Sequence, residues 1–269
     1  MSTDLTTARL QRKTDLPEAE LWGYITDITV VSPDTLLVAN NKCVLVDSRQ
    51  GQELSKVQLQ RATRTMCLTD RNTAAVSIIG AKKIQMIQVK DNTLTLGKVL
   101  TVSGDIQGIT SCRNSLVVSY YKSPWLEVVS MDGKVLKQFD MRGKSQHFKY
   151  PAFMCPTPDG SIFISDSETN TRTKVDESLN ILQTFTSPLL DGPFGITAVT
   201  EDQILVCSSR NNDSLLLLQP STNTMSTLLG EDDGIERPYS LAYCPDQKKV
   251  FIASWFTYTI KVYQIAEDN

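Results

Sequence analysis

Hydrophobic and polar positions alternate in short runs along this chain, and helical periodicity is almost absent. One short helix is expected over Asp15–Trp22, where Asp15 caps and Pro17 sits in the first turn. Elsewhere, runs of Val, Ile, Leu and Thr are separated by clusters of Asp, Asn, Gly, Pro and Ser. Strands divided by turn residues at spacings of about 8–12 residues predict an all-β fold.

The runs come in sets of four. The first set is Ile25–Val31, Thr35–Ala39, Cys43–Asp47 and Glu53–Leu59. The second spans Arg64–Val102, the third Ile106–Phe139, the fourth Ala152–Phe185 and the fifth Phe194–Leu229. The sixth has only three runs: Tyr239–Tyr243, Lys249–Ser254 and Thr259–Ile265. Equivalent apolar positions, Ile28, Met66, Ile109, Met154, Ile196 and Leu241, are 38, 43, 45, 42 and 45 residues apart. Four strands at that period mark one propeller blade. The expected fold is therefore all-β: a single six-bladed β-propeller of four-stranded blades covering residues 1–269. The sixth set lacks a strand and would leave an unpaired edge. The alternating segment Thr6–Lys13 is expected to pair beside Thr259–Ile265 and close the ring, with residues 1–15 as closing strand and lead-in.

Composition narrows the chemistry. Hydrophobic residues make up 41% of the 269 and charged residues 21%, as in a folded globule. The net charge of −3 argues against a uniformly basic polyanion binder. No apolar run approaches the roughly 20 residues of a membrane helix, so no membrane partner is expected. A single histidine, His147, rules out multi-histidine zinc sites. The six cysteines form no C-x-x-C pair, and the polar stretch Met1–Asp15 has no apolar core of a signal peptide. Reduced, buried thiols and a cytoplasmic setting are expected.

The later sets begin alike: Tyr150-Pro151-Ala152-Phe153-Met154, Gly192-Pro193-Phe194-Gly195-Ile196 and Arg237-Pro238-Tyr239-Ser240-Leu241. The fourth continues through Asp159-Gly160 to a strand ending in Asp166, then Asn170 and Val175-Asp176. This pattern resembles the NHL repeat, although the first three sets lack most of its marks. Asn180–Phe185, Gly192–Ile196 and Gly234–Leu241 are similar to the terminal propeller of invertebrate, notably molluscan, tripartite-motif proteins. The resemblance implies the substrate- or partner-recognition end of a ubiquitin ligase. The RING, B-box and coiled-coil patterns of such proteins do not occur in this sequence.

Propeller geometry sorts the loops onto two faces. One carries ordinary hairpin turns such as Pro33-Asp34, Asp70-Arg71-Asn72, Arg113-Asn114, Asp159-Gly160 and Asp246-Gln247. The other gathers aromatic and basic residues. The candidate binding residues there are Arg64, Tyr120, Tyr121, Lys122, Arg142, Lys144, His147, Lys149, Tyr150, Phe194, Arg210, Arg237, Tyr239, Trp255 and Phe256. Trp22, Tyr24 and Trp125 fall in or beside the same loops. Aromatic residues and Arg are enriched in interface hot spots. The expected function is non-catalytic recognition of a protein or peptide by a monomeric propeller, without cofactor or metal.

Two alternatives stand beside it. RNA stem-loop binding would use the same face, with Arg142–Lys149 as its most basic stretch, although Glu231-Asp232-Asp233 lies nearby. A lactonase-type, calcium-dependent hydrolase would take Asn40, Asp166 and Asn170 as ligands, residues that in NHL repeats commonly tie the turn.

Overall fold

Each set of runs folds into one antiparallel sheet. In the computed structural model, which describes residues 5–15, 24–39, 42–123, 125–143 and 147–267, the first blade is β2 (Asp27–Ser32), β3 (Thr35–Ala39), β4 (Lys42–Asp47) and β5 (Glu53–Gln58). The second is β6 (Met66–Asp70), β7 (Thr73–Ile78), β8 (Lys83–Lys90) and β9 (Thr93–Thr101). The third is β10 (Ile106–Cys112), β11 (Ser115–Tyr120), β12 (Trp125–Ser130) and β13 (Val135–Asp140). The fourth is β14 (Pro151–Pro156), β15 (Ile162–Asp166), β16 (Thr171–Val175) and β17 (Ile181–Phe185). The fifth is β18 (Pro193–Thr200), β19 (Gln203–Ser208), β20 (Ser214–Gln219) and β21 (Thr224–Leu229). The sixth joins β22 (Pro238–Cys244), β23 (Lys249–Ser254) and β24 (Thr259–Glu267) to β1 (Leu5–Asp15), in the order β1-β24-β23-β22. The fold is a six-bladed β-propeller.

The closing strand is two residues longer at its C-terminal end and one at its N-terminal end than the alternation suggested. It runs antiparallel to β24 from the Leu5–Glu267 pair to Asp15–Thr259, with irregularities at Leu5/Thr7 and Leu10/Arg12. Leu5 is buried against Leu205, Leu217 and Ile265, so this outermost strand also anchors blade six to blade five. Of the helix expected over Asp15–Trp22, Asp15 is instead the last residue of β1, and residues 16–22 lie outside the described residues.

The core is six wedges, one in each seam between blades. The second strand of each blade supplies both of its neighbouring wedges. In β3, Leu36 and Val38 pack against blade six, whereas Leu37 and Ala39 pack against blade two. A strand buried on both faces reads as a continuous apolar run, as in Leu116-Val117-Val118, Ile162-Phe163-Ile164 and Ile204-Leu205-Val206, all fully buried. The outermost strands show the opposite pattern, and most of β13 is exposed.

The innermost strands β2, β6, β10, β14, β18 and β22 line a central channel of about 220 Å³. They approach one another very closely. A Cβ at Gly108 would lie 2.0 Å from the Ala152 carbonyl oxygen, and one at Gly195 would lie 2.8 Å from that of Tyr239. Irregularities recur where these strands begin, at Ile106/Gly108, Pro151/Phe153, Pro193/Ile196 and Pro238/Ser240. Proline at a strand's first residue sacrifices no ladder bond. The bulges that follow re-aim side chains at one end of the channel.

All six cysteines are free and buried. Among the described residues no helix is long and apolar enough to cross a membrane.

Candidate functional site

The loops before the inner strands and those joining second to third strands meet on one face, here called upper. Two steps before the equivalent apolar positions stand Thr26, Arg64, Gln107, Ala152, Phe194 and Tyr239, one per blade, around the channel mouth. From this ring an unbroken series of aromatic contacts runs outward. Phe153 meets Tyr239 at 5.2 Å between ring centroids, Tyr239 stacks on Trp255 at 5.2 Å, and Trp255 stacks on Phe256 at 4.9 Å. Tyr24 ends the series, edge-on to Phe256 at 4.8 Å, while Phe194 sits 5.0 Å from Tyr239 and 5.1 Å from Trp255. Such pairs add about 0.5–1.5 kcal/mol each beyond area burial. Phe256 nevertheless remains 58% exposed and holds φ at +60°. A bulky side chain in the left-handed region carries backbone strain. Strain and exposure together are unfavourable for an isolated chain.

Across the mouth stands a second, polar group. Arg64 donates from Nη1 to the Tyr150 hydroxyl at 2.8 Å, which carries its guanidinium from blade two to the entrance of blade four. Its guanidinium carbon is 5.9 Å from the Tyr121 ring centroid, and the Lys122 ammonium is 5.2 Å from the same ring. Tyr121 and Tyr150 meet edge to face at 6.1 Å. Burial pushes the Tyr239 hydroxyl upward in pKa; nearby Arg64 pulls it down, and Asp27, Tyr150 and Tyr24 push it further up.

Asp27 lies one step deeper and joins three blades. Its carboxylate accepts bonds from the amides of Ile28 at 2.9 Å and Met66 at 2.7 Å, and from the Ser240 hydroxyl at 2.6 Å. Burial pushes its pKa up to about 7, with the Ser240, Met66 and Ile28 bonds pulling the other way.

The candidate residues divide among several places. Arg64, Tyr121, Lys122, Tyr150, Phe194, Tyr239, Trp255 and Phe256 come together in the two groups just described. Arg237 is exposed beside them, and its carbonyl accepts the Trp255 amide. Tyr120 is a correction: it is 3% exposed, packs in the seam between blades two and three, and donates to the buried Glu127 carboxylate at 2.5 Å. As the last residue of β11 it still obeys the alternation of the strand, which points it inward.

The basic stretch Met141–Lys149 does not form one cationic surface. Arg142 makes a forked pair with Asp140 at 2.7–3.0 Å and lies over Trp125 at 4.9 Å. His147 Nδ1 is 2.8 Å from the Thr184 hydroxyl on the outer strand of blade four. Met141 and Phe148 are buried, Lys149 is exposed, and Lys144 lies outside the described residues. Arg210 is exposed between the Ser167 carbonyl at 3.3 Å and Glu168 at 3.9 Å.

The residues considered for calcium serve the loops. Asp166 accepts from four amides, those of Lys149 and Tyr150 at 2.6 Å and of Glu168 and Thr169 at 3.0 Å. Asn170, at φ +53°, accepts the Gly192 amide. Asn40 lies outside the described residues, as does Trp22. Thus Asp166 places Tyr150 at the mouth and is itself covered.

Sequence reasoning missed Asp27, Thr65, Gln107 and Phe153. A carboxylate at the start of an apolar run, in Asp27-Ile28, was the available signal for the first. It also treated the lower face as bare turns, whereas β2, β3 and the turns after β6, β8 and β22 enclose a hollow of about 720 Å³ there.

Solved structures similar to this chain share its architecture at low identity. The Cps50 (Swd1) β-propeller domain of Myceliophteria thermophila is 12% identical with a TM-score of 0.66, covering 90% of this chain and 83% of that one. A catalytically inactive virginiamycin B lyase from Staphylococcus aureus with quinupristin is 16% identical with a TM-score of 0.66, covering 92% and 82%. A streptogramin B lyase is 13% identical with a TM-score of 0.63, covering 96% and 98%. Likeness at these identities establishes the fold alone. No protein-family model matches the chain, and no curated protein matches it.

Proposed function

We propose that this propeller is a non-catalytic recognition module that binds a protein or peptide partner on its upper face. The observation that carries the reading is the aromatic series from Phe153 to Tyr24, ending in an exposed and strained Phe256. Aromatic anchors with an arginine at the centre and polar loops around them have the composition of an interface hot spot. The NHL-like strand starts at Pro151, Pro193 and Pro238 support reading the chain as the recognition propeller of a tripartite-motif-type ubiquitin ligase acting in the cytoplasm.

Two neighbours are named lyases, so catalysis is the competing reading. A lyase site at the channel mouth would need a free acid or base there. Asp27 is committed to three donors, and His147, in the loop before β14, is turned towards Thr184 on the outer strand of blade four. RNA binding is weakened by the carboxylates beside Arg142 and Arg210.

A display selection of random peptides tests the proposal, with counter-selection against a Trp255→Ala/Phe256→Ala variant. Enriched peptides should bind the native chain at least tenfold more tightly than the variant. No enrichment, or equal binding to both, overturns the proposal. Micromolar binding of a random RNA pool near 50 mM salt, without peptide enrichment, replaces it with the nucleic-acid reading.

A further inference from the structure

The guanidinium of Arg64 is an unusual group to find at the centre of this face. No ion pair joins it to any carboxylate among the described residues. Nη1 is occupied by Tyr150, but Nε is buried without a partner. Nη2 carries further donors, and a carboxylate is their natural partner. Two buried carboxylates, Asp27 on β2 and Asp166 at the end of β15, do not fill this role. Asp27 is taken by Ile28, Met66 and Ser240, and Asp166 by four backbone amides.

Other polar groups at the same level are also unused. Thr65, 2% exposed and lining the channel, has a hydroxyl with no partner. Gln107, 2% exposed, occupies the position of Arg64 in the next blade, and its side-chain oxygen has none. Buried polar atoms without partners are rare in folded proteins because each forfeits its hydration. Arg64 Nε and Thr65 Oγ1, just before β6, are two unmet donors, and Gln107 Oε1, on neighbouring β10, is an unmet acceptor; the guanidinium itself meets Tyr121 and Tyr150. An arriving anion would pair with the guanidinium in surroundings that exclude water, where such bonds are strongest.

We propose that the channel mouth is an acid pocket, in which Arg64 receives the carboxylate of an Asp or Glu side chain while the neighbouring residue of the partner peptide packs on the aromatic series. The inference rests on the peptide-recognition reading and deepens it by naming the chemistry of the partner. Arg64 supplies the positive charge and its Nη2 donors, its Nε being covered by the surrounding side chains, and Tyr150 holds the guanidinium in place. The apolar neighbour reaches Trp255 and Phe256, which gives the partner motif its order: one acidic residue beside one large apolar residue.

Capped hexapeptide pools test this directly. Each pool fixes a central Asp, Glu, Asn, Gln or phosphoserine beside a fixed Phe and randomises the rest, and binding is read by fluorescence anisotropy. Asp or Glu pools should bind the native chain at least tenfold more tightly than the Asn and Gln pools. Arg64→Gln should erase that preference while leaving weak Phe-dependent binding, and Arg64→Lys should restore part of it. Tyr150→Phe removes a single hydroxyl at the mouth and should weaken the preference about threefold, which keeps the test available should Arg64→Gln fail to fold. Equal binding of acid and amide pools overturns the acid pocket and leaves peptide recognition standing. A phosphoserine pool that outbinds the acid pools tenfold overturns the carboxylate in favour of phosphate. Failure of every pool overturns the underlying reading as well.

Discussion

The two faces of the disc solve the same problem, turning a chain between strands, in different ways. On the lower face the carboxylates satisfy their own turns. Asp47 accepts the amides of Arg49 and Gln50, Asp176 those of Ser178 and Asn180, and Asp159 the amide and hydroxyl of Ser161. Several are held below the ordinary carboxylate range by those bonds, although burial pushes the other way. On the upper face the contacts are long-range. Arg64 reaches Tyr150 across 86 positions of sequence, and Asp27 joins Ser240 across 213. The lower face has cross-blade contacts as well, Gln247 to Asp34 at 3.3 Å and Arg113 to Glu177 at 2.8 Å, but its turns are closed by their own aspartates. The upper-face site, built from residues of six blades, exists only when the ring is closed.

The largest effect should come from breaking that closure. Removing residues 1–14 takes away β1 and exposes the edge of β24. The melting temperature should fall by about 10 °C, the shift that roughly 3–4 kcal/mol produces in a chain of this size. Unchanged melting would show that neither face depends on the strand.

Two aspartates in blade four sharpen the contrast between the faces. Asp166→Ala strips four part-buried amides of their buried acceptor and should cost about 3 kcal/mol, together with peptide binding, because the Lys149–Tyr150 loop loses its anchor. Asp159→Ala on the lower face removes bonds within one turn and an ion pair with Lys174 on β16, and should cost about 1–2 kcal/mol with binding intact. Similar losses in chemical denaturation would end the distinction.

Asp27 gives the upper face a pH dependence. Its folded pKa, about 7, lies above the ordinary 3.8, so the folded state holds the proton more tightly than the unfolded one. The contribution is fully present below about pH 4 and is lost as pH rises towards 7, by on the order of 3–4 kcal/mol. Lower-face carboxylates with depressed pKa values act in the opposite sense, losing their contribution in more acidic solution. Asp27→Asn should flatten the stability profile between pH 4 and 7; a profile parallel to that of the native chain would exclude Asp27 as its source.

The smallest effect on stability should be the most informative for binding. Phe256 and Leu182 are 58% and 56% exposed, one on the upper face and one on an outer strand. Alanine at Leu182 should change stability by under about 0.5 kcal/mol, and at Phe256, which loses two ring contacts, by about 1 kcal/mol. Only Phe256→Ala should weaken the selected peptides, by about tenfold; an equal loss at Leu182 would relocate the binding surface.

Much of this architecture was legible in the residues. The paired apolar faces of Leu36 to Ala39 and the continuous run Ile204-Leu205-Val206 announce strands buried on both sides, and the spacing from Ile28 to Leu241 counts the blades. The missing twenty-fourth run located the closing strand. The site was legible in part. Trp255, Tyr239 and Phe194 were found because their residue type and loop placement suffice. Tyr120 was misplaced because Tyr120-Tyr121 reads as one aromatic pair, whereas a strand's last residue and a loop's first face opposite ways. Arg142 looked free because Asp140 precedes its loop as an ordinary strand end.

Sequence alone determined the six blades, the strand-closed ring and the face that carries the aromatic residues, because burial on two sides, turn chemistry and repeat length are local or periodic properties. Tertiary structure alone decided which cations are neutralised, that Asp27 staples three blades, and that Arg64 bonds to Tyr150 rather than to a carboxylate. Those outcomes depend on distances between residues from different blades, and no pattern along a chain encodes a distance that only ring closure sets.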